Sequence, residues 1–422
     1  MKNKFLYSLI CLFVFLLFFN TVQAQQQNYI IRSLLDISST IRSEFYKQVP
    51  EETIYNGAIK EIKQKYSLDV PSVKDQRQFV SVMSSFFQKY PSDSGKIGEL
   101  AVKGMIKSLN DQYSLFFDTQ QWEYFKKVSS GSEFTGIGVE LAKKNGNFII
   151  VSPVYGSSAQ KAGLRSGDVI VGVAGKNVKG MDDLDVLNLF DGYANTFLDL
   201  QIVRNGQVKN FKVQRTPLSM KPPKGSILKA GDQVGYVRIF YFSDKTDLEV
   251  KKYLENMKNR GIKKLIIDLR DNPGGDFKAS VRLASMFLGR QTVVTRTRNG
   301  GISEKVVGDS DKIFDFKTVI LVNRGSASAS EVFSGAMQDY KIATLIGEQS
   351  FGKALIQSVY GLQGNAGCKI TTAKYYPPSG RDILYKGLTP SFKVVNSEPR
   401  EKVADDSCIN TALNYLKNKE VL

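Results

Sequence analysis

The sequence predicts a multidomain α/β protein with a helical region at its N-terminal end. Three observations carry that reading: the length, a change of hydrophobic period near Ser132, and a strand–helix alternation from about Gly235 onward. Single cores rarely grow past about 250–300 residues, so 422 residues imply two or three domains. The boundaries expected are 1–24, 25–132, 133–217, 218–395 and a helical tail over 396–422. An apolar fraction of 42% is that of an ordinary globular chain with enough material for well-buried cores.

Residues 1–24 stand apart. Lys2 and Lys4 precede an apolar run from Phe5 to Phe19, and Val22-Gln23-Ala24 offers small residues at a cleavage position. This is a secretory signal pattern whose core is short for a spanning helix, so export with cleavage after Ala24 is expected. No later stretch is apolar enough to span a bilayer, and no stable membrane insertion of the mature chain is expected. Between residues 25 and 130 apolar residues recur at helical spacing: Leu34, Ile37, Ile41 and Phe45; Ile54, Ala58, Ile62 and Tyr66; Ile97, Ala101, Met105 and Leu109. The stretch between Lys65 and Lys96 is a candidate for assembly into a homo-oligomer.

Near Ser132 the pattern becomes that of strands. Phe134 to Leu141 alternates, Asn145-Gly146 forms a hairpin turn, and Phe148 to Val151 returns. Ser158 to Leu164 is a short helix closed by Gly163, and Arg165-Ser166-Gly167-Asp168 turns into the strand Val169–Val173. Asp182 to Phe190 reads as a helix, and Leu198–Val203 and Phe211–Val213 as strands around Asn205-Gly206. The run "AQKAGLRSGDVIVGVAGKNV" with Gly136-Ile137-Gly138-Val139 resembles a PDZ domain. The resemblance implies that Gly136, Ile137, Gly138 and Val139 capture a peptide's C-terminal carboxylate on backbone N–H groups while the peptide adds as a strand. Gly192 to Thr196 departs from the turn usual in such domains.

From Val234 onward strands and helices alternate: Val234–Ile239, Asp244–Asn259, Lys264–Leu269, Ala279–Leu288, Thr318–Val322, Ser330–Gln338 and Ala343–Ile346. This implies largely parallel strands with a site beyond their carboxyl ends. Two glycine-rich turns fall there, Asn272-Pro273-Gly274-Gly275 and Arg324-Gly325-Ser326.

The chain contains no histidine. A Ser-His-Asp or Cys-His mechanism and a histidine-ligated zinc site are therefore excluded within it. A nucleophilic serine would need another base, and lysine is the usual substitute. "GSASASE" follows an apolar strand and opens a helix, where N–H groups and the positive end of the helix converge. Position alone leaves Ser326, Ser328 and Ser330 open, and helix capping explains each of them equally.

"GSASASEVFSGAMQDY" followed by "TLIGEQSFGKALIQ" resembles the signature of the C-terminal processing peptidases, family S41. "SLNDQYSLFF", "VGYVRIFYFS", "LIIDLRDNPGG" and "TTAKYYPPSGRDILYKGLTP" resemble its other blocks in the same order. The resemblance implies a ClpP/crotonase-like α/β core with an inserted PDZ domain. It implies Ser328 as nucleophile, Lys353 as base 25 positions later, Gln357 as support for the lysine, and Asp339 and Glu331 as supports of local structure. The oxyanion hole is expected from the N–H of Ala329 with that of Gly274 or Gly275. A lysine base must be neutral, yet an ammonium in water holds its proton to about pH 10.4, so the amine must be kept from water. Phe351 and Ala354-Leu355-Ile356 are expected to do this. No metal and no organic cofactor is expected.

The implied activity is endopeptidase cleavage of envelope proteins at or near their C-terminus, in the periplasm or cell envelope of a bacterium. The competing readings are an inactive PDZ-bearing scaffold and an acyl-CoA enzyme of crotonase-like fold. The formal charge of +17 is spread along the chain without a basic arm, so a solvated basic surface is expected and nucleic acid is not. Cys368 and Cys408 remain after cleavage, and sequence leaves open whether they pair.

Overall fold

A computed structural model describes residues 25–129, 134–144, 146–181, 183–218, 220–230, 232–362, 364–395 and 405–417. The expected signal segment, Asn145 of the hairpin turn, Asp182 and most of the expected tail lie outside the described residues. The chain divides into two compact units.

The first unit comprises residues up to Tyr124, Arg298–Gly301 and Gln357–Ala373. Its helices span 25–44, Glu51–Lys63, Gln76–Lys89 and Ser94–Lys107. Phe45, Tyr66 and Leu109, read as the last helical apolar positions, are buried just beyond the helix ends. The unit's core joins Leu34, Ile41, Ile54, Phe79, Phe86 and Met105. The Tyr55 and Phe79 rings stack at 4.3 Å. Burying each such side chain contributes roughly 1.5–3 kcal/mol. Gly57 and Gly104 let two helices meet backbone to backbone: a Cβ on Gly57 would lie 2.6 Å from the Gly104 carbonyl oxygen. Strand Leu115–Phe117 pairs antiparallel with residues 367–369. Asp111, from the "SLNDQYSLFF" run, accepts from both Ser114 Oγ and Thr371 Oγ1 at 2.6 Å. That carboxylate ties the end of the helical region to the strand Ala366–Tyr376.

The second unit holds the strand-rich module and the α/β layer. In the module the strands Val139–Lys144, Asn147–Pro153, Val169–Val173, Phe197–Arg204 and Gln207–Gln214 form one antiparallel sheet in that order. Ile150, Ile170, Val186, Leu200 and Val213 fill its core. Asp168 of the "RSGD" turn is buried and paired with Arg204 at 2.6 Å. The run Phe134–Leu141 is not one strand. Phe134–Gly136 pairs with Thr216–Leu218, and Gly138, at φ +79°, breaks the run before Val139. Val139–Lys144 thus begins a sheet edge, paired on one side alone among the described residues.

The α/β layer is a six-stranded sheet ordered Lys224–Ala230, Asp232–Arg238, Lys264–Asp268, Lys317–Val322, Ala343–Gly347 and Phe392–Lys393. The first strand is antiparallel to its neighbour and the rest are parallel. Alternate residues serve opposite faces. Leu265, Ile267 and Ile320 meet the helices Thr246–Asn259, Phe277–Leu288 and Ala329–Asp339, while Ile266, Val319 and Leu321 meet Ser407–Lys417. Burial on both faces explains why these strands read as unbroken apolar runs. No helix among the described residues is long and apolar enough to cross a membrane. Cys368 and Cys408 are both free and buried.

Candidate active site

Asp268 and Leu321 stand side by side at the carboxyl ends of neighbouring parallel strands, so the two glycine-rich turns leave the sheet together. Side-chain amides weld them. Asn272 Nδ2 donates to the Ile239 carbonyl at 2.9 Å, and the Asn272 carbonyl accepts from Ala327 N and Ser330 Oγ, both at 3.0 Å. Asn323 Oδ1 accepts from Asp271 N at 2.9 Å and Gly325 N at 3.0 Å. Neither asparagine was singled out by sequence reading; their place at the end of a strand, next to glycine turns, is the signal available.

The three serines separate by what their hydroxyls do. Ser326 is fully buried, donating to the Leu269 carbonyl at 2.8 Å and accepting from Asn323 N at 2.9 Å. Ser330 is buried on the Asn272 carbonyl. Both are spent on bracing the turn. Ser328 is part-buried, and it alone of the three has a left-handed backbone, φ 55° and ψ −116°. A non-glycine residue there costs on the order of 1–3 kcal/mol, and such strain concentrates at functional sites. The helix Ala329–Asp339 starts at the next residue. Its first N–H, on Ala329, has no intrahelical partner by construction and adds to the positive end of the helix dipole.

Gly274 sits against this serine. A Cβ on it would lie 2.7 Å from Ser328 Cβ and 2.9 Å from Ala329 N, at φ +106°, so only glycine fits. The Gly274 N–H, however, donates to Asn272 Oδ1 at 2.9 Å. Of the two glycines offered as the second oxyanion donor, Gly275 is the one whose N–H is not given to that side chain. Close approach to the peptide of Phe242, whose carbonyl oxygen would be 2.1 Å from a Cβ on Gly275, and a φ of +130° require glycine there as well.

Glu331, expected as a local support, is a buried hub. Its Oε1 accepts from Ser350 Oγ at 2.5 Å and Gly352 N at 2.7 Å; its Oε2 accepts from Ser328 N at 3.0 Å and Lys353 N at 2.9 Å. Burial pushes its carboxyl above the ordinary carboxylate range, and these four donors pull the other way. Lys353 is part-buried, followed by the buried Ala354 and Leu355. Asp339 accepts from Ser379 N at 2.8 Å and pairs with Arg381 at 2.6 Å, holding the 379–381 turn. Gln357, within the first unit, has a buried Nε2 with no hydrogen-bond partner among the described residues. In the PDZ-like module the Ile137 side chain is a core residue, so any ligand contact there falls to its backbone. Gly136 belongs to the short ribbon with Thr216.

The Asn272–Gly275 turn is anchored from behind. Arg270 is fully buried between Asp268 and Asp406, donating twice to each at 2.7–2.9 Å. Burial alone would raise the Asp268 carboxyl, but the guanidinium and its hydrogen bonds win and hold it down at about 2.

Residues 233–394 match the sequence model of Peptidase family S41, and residues 135–214 match that of the PDZ domain. The chain contains a peptidase family S41 domain. It carries an inserted PDZ domain and N-terminal helices, the fold expected from the sequence. It is 34% identical over 334 residues to the "Probable CtpA-like serine protease" of Staphylococcus haemolyticus, covering 77% of this chain and 66% of that one. The protein of the same description from Staphylococcus aureus is 34% identical over 336 residues, covering 76% of this chain and 66% of the relative. The chain thus spans a little under two thirds of the length of these relatives. Among solved structures, the photosystem II D1 C-terminal processing protease superposes with a TM-score of 0.72 at 27% identity, over 86% of this chain and 93% of that one.

Proposed function

We propose that this chain is an exported serine endopeptidase that cleaves envelope proteins at or near their C-terminus with a Ser328–Lys353 dyad. The observation that carries the reading is the state of Ser328. Its neighbours Ser326 and Ser330 are consumed by the fold, while Ser328 stands strained and part-exposed at a helix entrance, against Gly274, with its backbone linked to that of Lys353 through Glu331.

Ser328 Oγ attacks the scissile carbonyl as the Lys353 amine takes its proton. The tetrahedral oxyanion is received by the N–H of Ala329 and of Gly275, where fixed dipoles in a partly dry site stabilise developing charge. The lysine then returns the proton to the leaving amine. Water activated by the same amine releases the acyl group. No step needs a metal or organic cofactor.

Substrate recognition is assigned to the PDZ domain. Val139–Lys144 offers a sheet edge for strand addition, and Val139, Leu141, Leu189 and Phe190 lean on one apolar cluster beside it. The N-terminal lysines and apolar run support secretion. Cleavage of a denatured reporter by wild type, Ser328→Ala and Lys353→Ala tests the reading. Turnover by the wild type alone is expected. Turnover retained by either variant refutes the dyad, and no turnover by any of the three favours a binding scaffold.

A further inference from the structure

The backbones of Ser328 and Lys353 are bridged twice, by one side chain that takes the N–H groups of the two residues and another that takes their carbonyls. Glu331 Oε2 accepts from the N–H of both residues, at 3.0 and 2.9 Å. The Tyr375 hydroxyl lies 3.1 Å from the Ser328 carbonyl oxygen and 2.6 Å from the Lys353 carbonyl oxygen. Tyr375 belongs to the strand Ala366–Tyr376, is 1% exposed, and has its own N–H on the Ala354 carbonyl at 3.0 Å. One phenol therefore reaches both carbonyls from a third segment.

The hydroxyl is not needed to satisfy Ser328. That carbonyl already accepts from Glu331 N at 2.8 Å and Val332 N at 2.9 Å. Nor is it needed to fill space, since a phenylalanine ring occupies nearly the same volume. Its one proton goes mainly to the nearer Lys353 carbonyl and is shared with the farther one. What the arrangement gains is a fixed distance between two peptides 25 positions apart, one of which is strained at φ 55°.

We infer that Tyr375 is a positioning residue of the dyad, acting with Glu331 to hold the lysine-bearing peptide in register with the serine-bearing one. It touches neither substrate nor reacting atoms. The inference rests on the endopeptidase reading above. Displacements of about 1 Å in a reacting pair cost up to roughly 100-fold in rate, and uniform binding of substrate is untouched by them. The full chain carrying Tyr375→Phe is thus expected to lose 10- to 100-fold in kcat, with KM changed less than twofold and the thermal midpoint within a few degrees of wild type. Reaction of Ser328 with a fluorophosphonate should slow by a similar factor.

The experiment compares wild type, Ser328→Ala, Lys353→Ala, Tyr375→Phe and Tyr375→para-aminophenylalanine on a denatured protein reporter. The amino variant keeps an N–H donor at the same place and is expected to recover at least half of kcat, which also decides the matter where the phenylalanine variant folds poorly. Wild-type activity lost in the two dyad variants but fully kept by Tyr375→Phe overturns the inference alone. So does a loss that falls on KM, or one the amino variant does not restore. Wild-type activity indifferent to Ser328→Ala, or no activity at all, overturns both this and the endopeptidase reading.

Discussion

Replacing Arg270 with methionine removes the cation that ties the end of strand Lys264–Asp268 to the start of the helix Ser407–Lys417. The guanidinium side chain is 0% exposed, and its partners Asp268 and Asp406 are 0% and 1% exposed. Methionine fills much of the volume but leaves two buried carboxylates facing each other. Breaking a buried ionic cluster by deleting one partner costs about 3–5 kcal/mol, a large part of the 5–15 kcal/mol that holds a typical domain. With a urea slope near 2 kcal/mol per molar, the unfolding midpoint of the second unit should fall by roughly 1.5–2.5 M, read by far-ultraviolet circular dichroism. The cost should be smaller at pH 5 than at pH 8, because one carboxyl can accept a proton once the cation is gone. Adding Asp268→Asn and Asp406→Asn should recover at least half of the loss, since neutral groups do not repel. A midpoint shift below about 0.3 M, or no recovery in the triple variant, would refute this account of the cluster.

Gly274→Ala should fold but lose at least about 100-fold in kcat, because its Cβ would press on Ser328 Cβ and Ala329 N at 2.7 and 2.9 Å; steady-state kinetics beside circular dichroism checks this. Acid titration of stability should show Asp268. Its folded carboxyl sits at about 2 against an ordinary 3.8, so it contributes roughly 2 kcal/mol that is present above pH 3.8 and lost as pH falls through 2. Asp268→Asn should flatten that part of the curve, measured by urea midpoints between pH 2 and 5.

The helices of the first unit were legible because Ile54, Ala58 and Ile62, or Ile97, Ala101 and Met105, mark one face at helical spacing. The parallel strands were legible because burial on both faces makes them apolar throughout. What sequence hid is tertiary. The edge strand Lys224–Ala230 and the hairpin Thr292–Thr297 with Ser303–Val307 carry too many polar residues to stand out. Phe134–Leu141 alternates well enough to pass for one strand, and only the left-handed Gly138 divides it. At the site, Ser326, Ser328 and Ser330 are equivalent in composition and are separated by the carbonyls that the hydroxyls of Ser326 and Ser330 reach and by the left-handed backbone of Ser328. Tyr375 lies in a block that resembles the family, but nothing in the sequence marks what its hydroxyl does, since its two partners lie 47 and 22 positions away.

The dyad is tested most directly by labelling the intact protein with a fluorophosphonate and locating the adduct by mass spectrometry. The account predicts modification at Ser328, absent in Ser328→Ala and slowed at least 100-fold in Lys353→Ala. An adduct on Ser326 or Ser330, or labelling at the wild-type rate without the lysine, would contradict it.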